Sequence, residues 1–260
     1  MIEHNFKKKY GQNFLNDKNV VNKIVSVAET SKEDLIIEIG PGGGALTEEL
    51  IKKSKVLAYE IDKELEDNLK SKIKSDNFYL IFDNFLNRNI KEDIKNIKYN
   101  NLYVIANLPY YITTPIINKI IEDKIDVKKM VLMVQKEVGE RFSAKSGSKD
   151  YSSISIYLNY FFDINKEFTV SRNSFFPKPN VDSIIISFTK KEKKYNINNE
   201  DKFFKLIKDS FVQKRKTLKN NLKKYDFKII EKILVKNNLP VDVRAENIPI
   251  EVFIEISNNI

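Results

Sequence analysis

The chain has 260 residues, a formal net charge of +9, no cysteine and one histidine, His4. Its length accommodates one large domain and a smaller one, while the missing cysteine excludes disulfides, thiolate nucleophiles and Cys-type zinc sites. A lone histidine near a terminus gives no basis for His catalysis or a His-ligated metal, so no metal site is expected. No run approaches ~20 uninterrupted apolar residues and the N-terminus lacks a signal-peptide core, which predicts a cytoplasmic protein with no membrane association.

Over the first 190 residues short apolar runs alternate with helical patterns, the signature of an α/β doubly wound sheet. Strands are predicted at Leu35–Ile39, Val56–Glu60, Tyr79–Phe82, Tyr103–Ala106, Met130–Val134, Phe168–Val170 and Ile184–Phe188. Helical patterns fall between them near Val20–Glu29, Ala45–Lys52, Lys63–Lys74, Pro115–Glu122, Glu137–Phe142 and Ser153–Phe161. The last two strands flank Phe175-Phe176-Pro177-Lys178-Pro179 with no helix between, so they should pair antiparallel at a sheet edge. Seven strands with such a terminal hairpin resemble the Rossmann-like class I methyltransferase layout.

The loop after the first strand, Glu38-Ile39-Gly40-Pro41-Gly42-Gly43-Gly44-Ala45-Leu46-Thr47, opens a helix. Its glycines let backbone approach a ligand closely. Gly40-x-Gly42-x-x-Ala45 also satisfies the dinucleotide fingerprint, and Glu60, 20 residues on, fits ribose hydroxyls under either reading. Asp83 ends the third strand, where an acceptor meets an adenine amino group. The loop carries no lysine or arginine between Gly40 and Leu50, which suits a cofactor without phosphate, and no His or Tyr-x-x-x-Lys arrangement supports hydride chemistry. S-adenosylmethionine is therefore favoured over a dinucleotide.

Residues 104–115 read Val-Ile-Ala-Asn-Leu-Pro-Tyr-Tyr-Ile-Thr-Thr-Pro. A buried strand exits into Asn107-Leu108-Pro109-Tyr110, and Pro115 sits in the first turn of the next helix. Asn107 offers an amide oxygen, Leu108 a carbonyl beside a proline, and Tyr110 a ring face. Two acceptors beside an aromatic plate suit a flat heterocycle with an exocyclic amino group, adenine above all. A Pro-Tyr turn packed on the core is the competing explanation.

Beyond a charged hinge at Lys190–Lys194 the pattern turns helical, with segments at Asp201–Val212, near Thr217–Leu222, Lys228–Asn237 and Ile250–Ser257. The predicted division is residues 1–190 as the catalytic domain and 191–260 as a small all-α domain. Residues 1–188 hold 28 Lys+Arg against 26 Asp+Glu, whereas 189–260 hold 17 against 10, so the positive excess lies at the C-terminus. A polyanion is the partner such an excess fits, although a lysine-rich codon bias produces the same count. Lysine outnumbers arginine 40 to 5, which marks Arg141, Arg215 and Arg244 as places where a planar fork is needed.

Taken in order, these motifs resemble one family almost end to end: the bacterial small-subunit (16S) rRNA adenine N6,N6-dimethyltransferases, KsgA/RsmA. Tyr10-Gly11-Gln12-Asn13-Phe14-Leu15 is similar to its N-terminal GQNFL box, Glu38–Thr47 to its glycine loop, Glu60 and Asp83 to its acidic positions, and Asn107–Tyr110 to its NLPY box. Gln135-Lys136-Glu137-Val138 and Phe175-x-Pro177-x-Pro179-x-Val181-Asp182-Ser183 follow. Gln213-Lys214-Arg215-Lys216-Thr217-Leu218 and Arg244-Ala245-Glu246-Asn247-Ile248 resemble the bacterial enzymes rather than Erm-type resistance methylases. The chain departs from the family pattern at Tyr111 and Phe176.

The resemblance implies cofactor contacts at Asn13, Leu15, Gly40, Glu60, Asp83 and Asn107, with S-adenosylmethionine as cofactor. It implies a target adenine held by Asn107, Leu108 and Tyr110 with Phe175 as the second plate of a base clamp. Lys214, Arg215, Lys216 and Lys219 would lie along rRNA, within the 30S subunit or its precursor. A monomer without an obligate protein partner is expected. An Erm-like enzyme acting on large-subunit rRNA and a non-catalytic RNA-binding protein remain the alternatives at this point.

Overall fold

The computed structural model describes residues 13–192 and 195–260. His4, Tyr10-Gly11-Gln12 of the N-terminal box, and Lys193 and Lys194 of the hinge lie outside the described residues.

The chain divides into two compact units. The first comprises residues 1–139 and 165–190, and the second residues 140–164 and 191–260. The expected linear boundary at 190 therefore needs a correction, because Glu140–Ile164 group with the C-terminal helices. That grouping has a physical basis in the second unit's own core, where Tyr151, Ile156 and Tyr160 join Phe203, Leu206 and Phe253.

In the first unit a two-residue strand β1 (Phe14–Leu15) precedes α1 (Lys18–Ala28). Asp17 caps α1 by accepting from Asn19 and Val20 N–H at 3.0 and 3.3 Å. Its buried stripe Val21, Ile24, Val25 and Ala28 follows helical spacing, each larger aliphatic contributing ~1.5–3 kcal/mol on burial. β2 (Leu35–Ile39), α2 (Thr47–Leu50), β3 (Lys55–Glu60), α3 (Glu66–Lys72), β4 (Phe78–Phe82) and α4 (Ile90–Ile94) follow. Then come β5 (Leu102–Asn107), α5 (Thr113–Glu122) and β6 (Val127–Gln135). After α6 (Lys136–Phe142) and α7 (Ser153–Phe161), β7 (Phe162–Val170), β8 (Phe175–Phe176) and β9 (Ser183–Lys190) complete the strands.

The large sheet has the order β4-β3-β2-β5-β6-β9-β7, and β1 pairs with β8 in a separate antiparallel ribbon. β2 through β6 run parallel and β9 antiparallel to β6. The Ser187 hydroxyl donates to Glu167 at 2.5 Å and Arg172 N–H to Asp182 at 2.9 Å, so β9 and β7 run in opposite senses, as predicted for the edge hairpin. β2 is buried throughout, including its one polar residue, Glu38.

The chain winds from β2 outward through β3 and β4, then restarts at β5 on β2's other side. Between β2 and β5 is the topological switch point, where open α/β sheets bind ligands at strand carboxyl ends. Pairing of these strands stops at Ile37–Val104, although β2 continues to Ile39 and β5 to Asn107. The strands thus part where Gly40 and Asn107 emerge.

In the second unit α8 (Glu200–Ser210), α9 (Leu218–Asn221), α10 (Phe227–Lys236) and α11 (Ile250–Asn259) match the four predicted helical segments to within a few residues.

Candidate active site

A cavity of about 430 Å³ opens at the switch point. Its wall brings together every site residue predicted in the first unit except one: Asn13, Leu15, Gly40, Glu60, Asp83, Asn107, Leu108 and Tyr110.

Glu60, the last residue of β3, is 4% exposed. Its carboxylate accepts Gly42 N–H at 3.1 Å and Asp62 N–H at 2.9 Å, which ties the glycine loop to β3. Burial raises its pKa, with these backbone bonds opposing. Gly42 has φ +55°, and a Cβ there would lie 2.9 Å from the Phe14 ring, so only glycine fits. Gly40, at φ +72°, faces open space within 4 Å. Its place on the cavity wall makes it a backbone surface that a ligand can approach without meeting a side chain.

Sequence reasoning gave Glu38 no role of its own. It lines the cavity, and burial, with the nearby charge of Glu60, pushes its pKa up to about 8 despite Thr47, whose hydroxyl favours the ionised form. Its Oε2 is buried with no hydrogen-bond partner. A glutamate inside the otherwise apolar Leu-Ile-Ile-Glu-Ile run was the available signal. The carboxyl groups lining the cavity are Glu38, Glu60 and Asp83 and its basic side chain is Lys72; with Glu38 keeping its proton, Glu60 and Asp83 carry the negative charge. Such walls suit a positively charged ligand and oppose a pyrophosphate. Together with the orphaned Glu38 oxygen and the open Gly40 cradle, they fit S-adenosylmethionine.

Asn107 ends β5, and its Nδ2 donates to the Asn13 carbonyl at 3.1 Å. That acceptor fixes the amide orientation, because only the NH₂ end can donate, and leaves Oδ1 as the amide's acceptor for a ligand. Leu108 is buried, with its carbonyl preceding Pro109. Tyr110 shares a 3.0 Å hydrogen bond with Ser183 Oγ, which anchors the ring by its far end. Burial raises the Tyr110 pKa.

Phe175 requires a correction. Its ring is 5% exposed, sits in the sheet core with Leu15 and Val170, and is absent from the cavity wall. Successive strand residues point to opposite faces, so pairing β8 with β1 turns Phe175 inward and leaves Phe176 60% exposed. The structure does not bring Phe175 together with Tyr110 as the second plate of a clamp. Tyr111, 61% exposed, is a lining residue that had been noted only as a departure from pattern.

Lys214, Arg215 and Lys216 lie in an exposed non-helical turn before α9, and Lys219 is exposed on α9. Thr217 caps α9 by accepting Asn220 N–H at 3.3 Å. Lys219 Nζ stands 5.5 Å from the Phe227 ring centroid, and Lys214 donates to the Lys149 carbonyl.

Residues 3–260 match the family model described as "Ribosomal RNA adenine dimethylase". The chain belongs to this family. It is 46% identical over 254 residues to "Ribosomal RNA small subunit methyltransferase A" of Mycoplasma mobile, covering 97% of each chain. It is 43% identical to the protein of that name from Bacillus cytotoxicus, covering 97% of this chain and 90% of the relative. Among solved structures it resembles a dimethyladenosine transferase from Plasmodium falciparum, with TM-score 0.77, 26% identity, and coverage of 94% and 95%. The 23S rRNA methyltransferase ErmE shares the fold at TM-score 0.77 and 22% identity, with coverage of 95% and 99%. The chain is thus a Rossmann-like, S-adenosylmethionine-dependent rRNA adenine dimethyltransferase with a helical C-terminal portion. No helix among the described residues is long and apolar enough to cross a membrane.

Proposed function

We propose that this enzyme methylates N6 of two adjacent adenosines in the 3′-terminal hairpin loop of 16S rRNA, giving N6,N6-dimethyladenosines during small-subunit biogenesis. It acts on the 30S subunit or its precursor, in the cytoplasm, as a monomer without an obligate protein partner. The orientation of Asn107 carries the adenine-N6 reading: Nδ2 is held by Asn13, and Oδ1 is left to accept from an amino group. The shared name and near-full coverage of the curated relatives support the small-subunit substrate.

S-adenosylmethionine supplies an electrophilic methyl group at the cavity. Glu60 takes ribose hydroxyls, Asp83 the cofactor's adenine amino group, and Gly40 gives close backbone approach, with Asn13, Leu15 and Asn107 completing the cofactor contacts. The target N6 lone pair is delocalised into its ring, so the nitrogen attacks poorly while planar. Hydrogen bonds from N6–H to Asn107 Oδ1 and the Leu108 carbonyl favour the pyramidal form and stabilise the positive charge growing on nitrogen. No strong base is needed, because that proton becomes acidic only as the new N–C bond forms, the methyl–sulfur bond breaking with its electron pair left on a neutral thioether, and the proton then leaves to water. Tyr110 stacks on the extruded base, a contact worth ~1–3 kcal/mol.

The first unit carries the catalytic machinery, and the C-terminal helical segment binds rRNA through Lys214, Arg215, Lys216 and Lys219. Incubation with methyl-labelled cofactor and either 30S or 50S particles, followed by nucleoside analysis, tests this function. The expected product is N6,N6-dimethyladenosine from 30S RNA alone. Label in 50S RNA moves the substrate to the large subunit, and no label in either particle removes the catalytic reading.

A further inference from the structure

At the carboxyl end of β4 a chain of four side chains runs from one part of the cavity wall to another. Asp83 Oδ1 accepts Asn84 N–H at 2.7 Å, and Asp83 Oδ2 accepts from Arg88 NH1 at 3.4 Å. The rest of the Arg88 fork is committed to Asp93, with Nε to Oδ2 at 3.1 Å and NH2 to Oδ1 at 2.5 Å. Asp93 Oδ2 also accepts the Tyr59 hydroxyl at 3.0 Å. Tyr59 and Asp83 both line the cavity.

Exposure sets the roles within this chain. The Asp93 side chain is 6% exposed, while those of Arg88 and Asp83 are 36% and 43% exposed. Asp93 is therefore the anchor, Arg88 the strut, and Asp83 the end presented to a ligand. Burial works against charge on Asp93, yet hydrogen bonds from Arg88 and Tyr59 hold its pKa below the ordinary carboxylate value. The Tyr59 ring in turn packs edge-on against Phe85 at 5.2 Å, which fixes the phenol.

We propose that Arg88 is a specificity-determining positioning residue: its fork, anchored on Asp93, sets the Asp83 carboxylate to prefer a cofactor purine bearing an amino group over one bearing an oxo group. The proposal rests on the reading of Asp83 as acceptor for the cofactor's exocyclic amino group. A carboxylate held in one rotamer accepts from an amino donor and repels an oxo oxygen. Leaving a polar group unpaired separates ligands far more strongly than a change in apolar bulk. Lysine cannot replace this strut, because one ammonium cannot bond Asp93 twice in plane and also span to Asp83. In a chain with 40 lysines and 5 arginines, an arginine here answers to that geometry.

Calorimetry with S-adenosylhomocysteine and S-inosylhomocysteine tests this without catalysis. The parent binds the adenosyl ligand more tightly. Arg88→Lys should lose about fivefold to tenfold of that preference through weaker adenosyl binding, with inosyl binding unchanged. Asp93→Asn, which removes the anchor and keeps the arginine, should lose part of it. Asp83→Asn, whose amide both donates and accepts, should collapse the preference. If Asp83→Asn collapses it while Arg88→Lys and Asp93→Asn preserve it, Asp83 keeps its place and Arg88 loses its own. If Asp83→Asn also preserves it, both assignments fall. Equal weakening of both ligands by Arg88→Lys marks a merely structural role and overturns the proposal. Should Arg88→Lys fail to fold, Asp93→Asn decides by the same ratio.

Discussion

Glu60 at the end of β3 and Lys216 in the turn before α9 are both charged side chains with an assigned ligand, but they are presented in different ways. Glu60 is 4% exposed and spans two backbone N–H groups, whereas Lys216 projects from an exposed turn. The same contrast separates Asn107, oriented by the Asn13 carbonyl, from Lys214, Arg215 and Lys219. A methyl-transfer site needs acceptors placed to a fraction of an ångström, and burial supplies that placement. A phosphate backbone asks only for positive charge at roughly the right spacing, which exposed basic side chains provide. Single substitutions should therefore be severe in the cavity and graded in the basic segment.

The sharpest way to break this comparison is Asn107→Ala. Turnover should fall by about 10²- to 10³-fold, the loss expected when one preorganised hydrogen-bonding group at developing charge is removed. Cofactor affinity should fall much less and the melting temperature little, because a half-buried strand-end polar group does not carry the core. Near-normal turnover in single-turnover assays contradicts the N6 mechanism.

Glu60→Ala should act the other way round, weakening cofactor binding about 10- to 100-fold by calorimetry through the lost ribose contacts and a slackened glycine loop. Unchanged binding would remove Glu60 from the site.

Replacing Lys214, Arg215, Lys216 and Lys219 together with alanine should weaken 30S binding. It should also flatten the salt dependence by ~0.7–0.9 log unit per lost phosphate contact, while cofactor binding stays at the parent value. An unchanged slope would show that docking lies elsewhere.

The electrostatics of the cavity are read on stability rather than on activity. Glu38 has an ordinary pKa of 4.5 and is raised to about 8 in the native fold. Between those values the native protein keeps a proton that the unfolded chain has released. Its contribution therefore falls as pH rises, by ~1.4 kcal/mol per pH unit, and levels off above about pH 8. Glu38→Gln should remove that slope, so that its denaturant midpoint loses less ground than the parent's between pH 5 and pH 8. Parallel slopes for the two proteins would mean that Glu38 does not hold the proton.

Most of the cavity was legible because its side chains sit where a periodic run meets a turn. Glu60 and Asn107 end buried strands and Asp83 follows the partly exposed β4, and all three strands announce themselves by apolar runs. What was missed lacks such a signal. β1 and β8 are two residues each, too short to show alternation, and their pairing is what turns Phe175 into the core. The first half of β7 is an exposed edge, Asp163 to Glu167, and reads as polar loop. α4 spans five residues and carries no helical period. Arg88 and Asp93 gain meaning only when Tyr59, 34 positions away from Asp93, meets them in space. Nor does a linear pattern reveal that Glu140–Ile164 pack with helices that begin some 40 residues later.

The division of labour is tested most directly by single-turnover methyl transfer to 30S particles, measured against particle concentration for the parent, Asn107→Ala and the quadruple basic-segment variant. The account predicts that Asn107→Ala stays slow at every concentration, while the quadruple variant climbs to the parent's limiting rate once particles saturate it. A quadruple variant that remains slow at saturation, or an Asn107→Ala protein that reaches the parent's rate, would contradict it.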